Sequence, residues 1–449
     1  LCRIYCGAGA QGVPDSLSSV KGITYRDSGG GIAENPWRDV LDLSAVPFVY
    51  KDMELFRHKI VYYESSRGCP FSCSYCLSSV DKRLRFRDTA LVKQELQFFI
   101  DARVPQVKFV DRTFNCNHRH AMEIWTYISE HDNGITNFHF EIAADLLNEE
   151  ELDLFGKMRP GLIQLEIGIQ STNPCTVKEI RRTMDFEKAA HTVRRIRDNG
   201  NIHQHLDLIA GLPYEDMESF KRSFDDVYAL RPDQLQLGFL KVLKGSYMEQ
   251  QKEAYGLVHK SSPCYEVLRT KWLSYGDVLR LKGIEEMVEV YYNSGQYTRT
   301  LERLIEEFDS PFDMFDRLRK FYEEKDHMNV QHRRSARYEI FLSFISSCCE
   351  EKTEYYRELL VFDYYLRENA KTRPEFAGDH MLTKEQLREF YEKEEKERKY
   401  LEGYEASDRN QLRRMTHLER FTCLGKTVLF DYMQRNPLNQ EARTCMIDM

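Results

Sequence analysis

Three cysteines fall within eight residues of one loop, Cys69, Cys73 and Cys76 in "RGCPFSCSYCLSS". Thiolates at CxxxCxxC spacing can wrap a soft metal centre. A structural zinc site normally recruits a fourth cysteine or histidine at finger-like spacing. Nothing near Cys76 supplies one, since His58 and His118 lie outside the loop. Spacing alone leaves a zinc site or a chance cluster open. The other nine of the twelve cysteines are scattered, apart from the adjacent Cys348 and Cys349. Isolated cysteines are most often small buried hydrophobes, the reading given to Cys116, Cys175, Cys264, Cys423 and Cys445, while Cys2 and Cys6 make a weak pair at best. This usage suits a reducing cytoplasm and a metal site better than a disulfide framework.

The loop needs elements to hold it. From about Lys59 to Leu240 short β-rich runs alternate with helical stretches, the pattern of a parallel sheet crossed over by helices. Six strands are expected: 60–66, 106–110, 137–143, 162–169, 204–210 and 234–240. Their apolar content is read as burial on both faces. Six units without two more predict an α/β fold built on a partial, open (βα)6 barrel. In parallel barrels functional groups collect at the C-terminal ends of strands. The cysteines follow strand one, "DRTFN" follows strand two, Glu141 lies late in strand three, Gln170 ends strand four, and Asp207 with Gly211 closes strand five.

The flanks differ in character. Residues 1–58 are rich in glycine and turns, reading as a linker with a small hairpin. After about Gly245 the strands stop and residues 246–449 become helical and charged, giving a core of 59–245 between two flanking regions. The chain has 449 residues, enough for two or three domains. A net charge of −8 gives no basic excess for nucleic acid. No apolar run approaches the roughly 18 residues of a membrane span. No internal repeat is found.

These features together resemble the radical S-adenosylmethionine (SAM) superfamily. Its motif is CxxxCx(aromatic)C after the first barrel strand, with Tyr75 here at the aromatic position, and the resemblance covers about residues 60 to 240. It implies an enzyme whose Cys69, Cys73 and Cys76 hold a 4Fe-4S cluster with one iron open to SAM, cleaved to a 5′-deoxyadenosyl radical. Later elements resemble the branch with oxygen-independent coproporphyrinogen oxidase and the cobalamin-dependent enzymes. That likeness implies SAM contacts from Glu141 in "FEIAADLL", Gln170 in "EIGIQS", Arg182 in "EIRRTMDFEKA", Asp207 and the backbone up to Gly211 in "LDLIAGLPYED", and Asp111 in "FVDRTFN". In that last motif Arg112 replaces the usual second aspartate. Taken singly, each residue could be a surface or ion-paired group; their order along one rim carries the resemblance. Glu166 is left open, and His203 and His205 are taken as structural.

Residues 1–50 resemble the tail of a cobalamin-binding domain and its linker, with most of that domain absent. Cobalamin is thus expected as a second cofactor of a longer protein. The leading expectation is a cobalamin-linked methyltransferase or related enzyme acting on an unknown small molecule or peptide, reduced by a donor such as flavodoxin or ferredoxin. Alternatives are a coproporphyrinogen-oxidase-like or cyclase activity without cobalamin, and a non-catalytic metal-binding module.

Overall fold

The computed structural model describes residues 17–56, 59–79, 81–379 and 382–448. Residues 1–16, with Cys2 and Cys6, and His58 lie outside the described residues.

All six expected strands form: β1 (Val61–Tyr63), β2 (Gln106–Phe109), β3 (Asn137–Ile142), β4 (Ile163–Gln170), β5 (His203–Ala210) and β6 (Gln234–Phe239). They make one sheet in sequence order, every neighbouring pair parallel. The crossovers carry α1 (Thr89–Asp101), α2 (His118–Glu130), α3 (Glu149–Phe155), α4 (Pro174–Glu179), α5 (Phe186–Asn199) and α6 (Met217–Tyr228). Asp88, Asn117, Asn148, Asp185 and Asp216 cap five of these helices by accepting first-turn backbone N–H bonds.

The strands are not apolar on both faces, as the sequence reading expected. Successive residues point to opposite faces, and in β4 Ile163, Leu165, Ile167 and Ile169 are buried while Gln164, Glu166 and Gly168 alternate with them. The apolar face packs under the helices. There Phe140 meets Trp125 of α2, and Tyr63 meets Phe99 of α1. The other face carries Lys108, His139, Glu141, Gln164, Glu166, His203, His205, Asp207, Gln234 and Gln236, so the barrel interior is polar.

Residues 17–56 include the expected hairpin, Thr24–Arg26 paired with Ile32–Glu34. A buried ion pair docks this segment onto the barrel. Arg87 Nε and Nη2 reach Glu95 of α1 at 2.8 and 2.5 Å, Arg87 Nη1 donates to the carbonyls of Leu43 and Val46, and Tyr63 donates to Glu95.

The C-terminal region is mainly helical, with α7 (Tyr275–Met287), α8 (Thr298–Leu304), α9 (Pro311–Glu324), α10 (Arg334–Cys348), α11 (Thr353–Arg367) and α12 (Lys384–Glu397). Strands do not stop at residue 245, however. A short ribbon pairs Val258–His259 with Val267–Arg269, and the chain ends in an antiparallel sheet of β7 (Thr416–Phe421), β8 (Lys426–Arg435) and β9 (Ala442–Ile447). Strand β8 buries Phe430 against Phe362 and Tyr365 of α11. No helix among the described residues is long and apolar enough to cross a membrane.

The free edge of β6 is closed by side chain as well as backbone. A π-helical turn, Val288–Asn293, ends in Asn293, whose Oδ1 accepts from Leu235 N and whose Nδ2 donates to Leu235 O, both at 2.9 Å. Further along, Val267 N donates to Leu240 O and Val242 N to Tyr265 O. Replacing Asn293 with leucine leaves the Leu235 N–H and C=O unpaired and is expected to cost about 1–3 kcal/mol of stability. Denaturant unfolding checks this, and an unchanged midpoint would show that the amide contributes nothing at this edge.

Candidate active site

The cysteine loop follows β1 and is backed by a two-residue ribbon, Ser66–Arg67 paired with Arg85–Phe86. Gly68 opens the loop at φ +99°, and a Cβ there would stand 2.5 Å from the Arg83 carbonyl oxygen. Only glycine fits so close a backbone approach at positive φ. Ser74 N donates to Ile180 O beyond α4, and Met248 N donates to Ser74 O, so the loop is tied to segments distant in sequence.

Cys69, Cys73 and Cys76 line a cavity of about 200 Å³ together with Phe71, Tyr75, Arg112 and Thr113. Its other walls come from Glu141, Glu166, Gly168, Gln170, Arg182, Thr183 and Asp207. Of the residues singled out in the sequence, the structure thus brings together the three cysteines, Tyr75, Glu141, Gln170, Arg182 and Asp207. A larger cavity, about 590 Å³, lies where the strands begin, bounded by His203, Tyr228, Tyr292 and Arg367, and no cysteine lines it. Chemistry, not size, marks the site.

Arg182 organises the cavity. Its guanidinium donates to the Gly168 carbonyl and to Tyr75 Oη at 3.3 Å, and stands 4.0 Å from Cys73 Sγ. Its buried Nε has no hydrogen-bond partner among the described residues. Burial pushes the Cys73 thiol up, and the Arg182 charge works against that shift. Gln170 ends β4 at φ +73°, and a Cβ at Gly168 would lie 2.2 Å from its Nε2.

Three carboxylates share the wall in different electrostatic settings. Glu166 is held down at about 2 by the His139 imidazole beside it and by Lys108, which outweigh its burial. Burial, and then the Glu166 charge, push Glu141 up to about 7. Burial also raises Asp207, opposed by the His205 imidazole 3.1 Å away.

Two expected residues stand elsewhere. Asp111 is fully buried beneath the loop and does not line the cavity. Its carboxylate accepts from Ser65 N at 3.1 Å, Ser65 Oγ at 2.7 Å and Ser66 Oγ at 2.5 Å, tying the end of β1 to the end of β2. Gly211, at φ +91°, is covered by Val267, whose Cγ1 would meet a Cβ there at 2.8 Å. It lets the ribbon approach β5 instead of lining the cavity. Sequence reasoning missed Arg112, Thr113, Phe71 and Thr183 and left Glu166 open. The even parity shared by Gln164, Glu166 and Gly168 was the available signal for Glu166.

The donor set fits an iron-sulfur cluster. Cys69, Cys73 and Cys76 stand together on one side of the cavity. A cluster takes its thiolates on separate irons. The family comparison agrees, for residues 63–227 match the radical SAM superfamily. The chain carries a radical SAM domain. A radical SAM domain implies SAM and a 4Fe-4S cluster as cofactors.

Residues 253–441 match a second family, described as a protein of unknown function (DUF4080). An uncharacterized methyltransferase of Pyrococcus horikoshii is 24% identical over 229 residues, 47% of this chain and 49% of that protein. The oxygen-independent coproporphyrinogen III oxidase of Salmonella typhimurium is 27% identical over 187 residues, 40% of this chain and 39% of its own length. The chain therefore spans half or less of these relatives. Among solved structures, the radical SAM methyltransferase TsrM of Kitasatospora setae superposes with a TM-score of 0.46 at 17% identity, covering 55% of this chain and 53% of that one.

Gly68→Ala is expected to lose most of its bound iron after anaerobic reconstitution, because the added Cβ displaces the Arg83 backbone and with it the start of the radical SAM loop. Iron analysis beside the unaltered chain checks this; equal iron content would show that the loop tolerates the shift.

Proposed function

We propose that this chain binds a 4Fe-4S cluster through Cys69, Cys73 and Cys76 and cleaves SAM reductively in the cavity beside them. The observation that carries the reading is the meeting of those thiols with Glu141, Gln170, Arg182 and Asp207 around one cavity. When bound, the cluster supplies one electron to SAM, whose cleavage gives methionine and a 5′-deoxyadenosyl radical. The chain's own residues bind and orient. Arg182 presents a positive charge to the SAM carboxylate, Glu141 takes the cationic end of SAM, and Asp207 and Gln170 take its ribose. Tyr75 fixes Arg182 through its hydroxyl. We also place the unit boundaries near residues 58 and 245.

For the wider reaction we propose a cobalamin-linked methyl transfer. The resemblance of residues 1–50 to a cobalamin-domain tail supports it, as does the methyltransferase name of the Pyrococcus horikoshii relative. Apolar side chains exposed on the N-terminal segment, Ile32 and Trp37 foremost, add to this as surface that a covering body would bury. Trp37, Val40 and Leu41 flank a hollow shared with Arg67 and Arg83 beside the cysteine loop. An anaerobic assay for 5′-deoxyadenosine and S-adenosylhomocysteine, with and without cobalamin, tests the reading. Cobalamin-dependent S-adenosylhomocysteine supports methyl transfer; 5′-deoxyadenosine alone favours a reaction like that of coproporphyrinogen oxidase.

Alanine at Cys69, Cys73 or Cys76 is expected to abolish both iron binding and SAM cleavage. Stoichiometric zinc with no iron in an anaerobic preparation would sink the cluster assignment.

The raised Glu141 predicts a pH dependence. Its carboxyl is neutral below about pH 7 and anionic above, and cationic SAM favours the anion, so SAM affinity rises as pH increases through about 7. The rise is expected to be roughly tenfold, the low end of a charge-assisted hydrogen bond at ~1.5–3 kcal/mol. Titration calorimetry across this range should show the rise in the unaltered chain and its loss in Glu141→Gln. A flat profile in the unaltered chain removes Glu141 from SAM binding.

A further inference from the structure

We propose that Lys108, His139 and His205 are positioning residues, a layer of cation-forming groups under the cavity that holds the Glu166 and Asp207 carboxylates in place and charged, and so sets the affinity for SAM. This rests on the assignment of the cavity to SAM and extends it to residues that do not line the cavity.

The layer is built by strand register. Lys108 of β2 pairs with His139 of β3, Glu141 of β3 with Glu166 of β4, and Glu166 with His205 of β5, all on the interior face. Lys108 Nζ and His139 Nε2 each stand 3.0 Å from Glu166 Oε2. His205 Nε2 stands 3.1 Å from Asp207 Oδ1. The side chains of His139 and His205 are only 8% and 10% exposed. The two carboxylates they hold belong to the cavity wall, while Lys108, His139 and His205 are absent from it.

Electrostatics requires such a layer. A carboxylate withdrawn from water is costly unless it is paired and hydrogen-bonded, and here three of them, Glu141, Glu166 and Asp207, repel one another across one small cavity. Arg112 and Arg182 face the carboxylates from the rim, and His203 with Asp233 lies further below. Neither rim arginine makes an ion pair with Glu166 or Asp207 among the described residues, so Lys108, His139 and His205 underneath are their partners. Glu166 is fixed from two sides by Lys108 and His139. Among the described residues only His205 stands within ion-pair distance of Asp207, and burial would pull that imidazole down, yet the Asp207 carboxylate beside it holds it above its ordinary value. The pairing thus stabilises both charges at once.

The alternative is that these contacts serve only to fold the sheet. The two roles separate in a pH profile. Glu166, held near 2, stays ionised throughout the neutral range, whereas Glu141 and Asp207 are raised; Lys108 works against the rise of both and His205 against that of Asp207, so removing either raises the pH at which those carboxylates ionise and cationic SAM binds well. A fold-only contact weakens binding or iron loading uniformly and leaves the midpoint where it was.

The test uses the full chain, reconstituted anaerobically, with SAM as the probe. Its dissociation constant is measured from about pH 6 to about pH 9 for the unaltered chain and for Lys108→Met, His139→Gln, His205→Gln and the charge-keeping Lys108→Arg. The three neutral variants are expected to keep their iron and to weaken SAM binding roughly threefold to tenfold near pH 7, and Lys108→Met and His205→Gln also to move the midpoint upward by about one unit. Lys108→Arg should restore the original profile. Unmoved midpoints in Lys108→Met and His205→Gln overturn the proposal, whether affinity is retained or uniformly lower, and so does loss of iron in all three neutral variants. An unaltered chain that holds iron but does not bind SAM at any pH overturns the function itself, an outcome separate from SAM binding whose pH midpoint the variants leave in place.

Discussion

The two-residue period of a strand governs this molecule more than any single contact. Side chains leave a strand alternately to either face, so one run of residues must serve two environments. The outer set, Phe109, Phe140, Leu165, Leu206 and Leu237 among them, is buried with the helices in one continuous core. The inner set is then free to be charged. In a closed eight-stranded barrel the interior is filled with packed apolar layers. Here six strands leave it open, and lysine, histidine, glutamate, aspartate and glutamine occupy it. The open barrel and the polar interior are two aspects of one arrangement.

The cysteine loop does not hold itself. Its start is fixed by Asp111 through Ser65 and Ser66, its middle by Ile180 and Met248 through Ser74, and one wall by Arg182 through Tyr75. These contacts come from the end of β2, from beyond α4 and from the first turns after β6. The site is assembled by tertiary structure, which is why buried polar groups such as Asp111 are so fully bonded.

Much of this was legible in the sequence. The cysteine spacing, the six strands in order, and the gathering of Glu141, Gln170 and Asp207 on one rim follow from local pattern, while Arg182 came from the family resemblance. What local pattern cannot give is direction. Asp111 and Arg112 are adjacent, and the turn after β2 sends the acid inward and the base to the cavity, the reverse of the expectation. Gly211 has the positive φ of a residue approached closely, but the neighbour is Val267, more than fifty residues on. His203 and His205 read as structural because their partners lie on the same strand and across the sheet. The closing sheet, β7 to β9, escaped notice because "THLERF" and "KTVLFDYMQR" mix charges into their apolar positions, and packing against α11 settles them as strands.

Asn293 has a consequence for how the two family-matched segments coexist. A sheet edge with free N–H and C=O groups is a template for pairing with other chains. The barrel leaves such an edge at β6, and the molecule fills it with an amide from the next segment and with backbone from a ribbon bridged to Leu240 and Val242. The second segment therefore shields the margin of the first. A barrel severed near residue 245 would carry a bare, sticky margin, and the two segments have reason to be inherited as one piece.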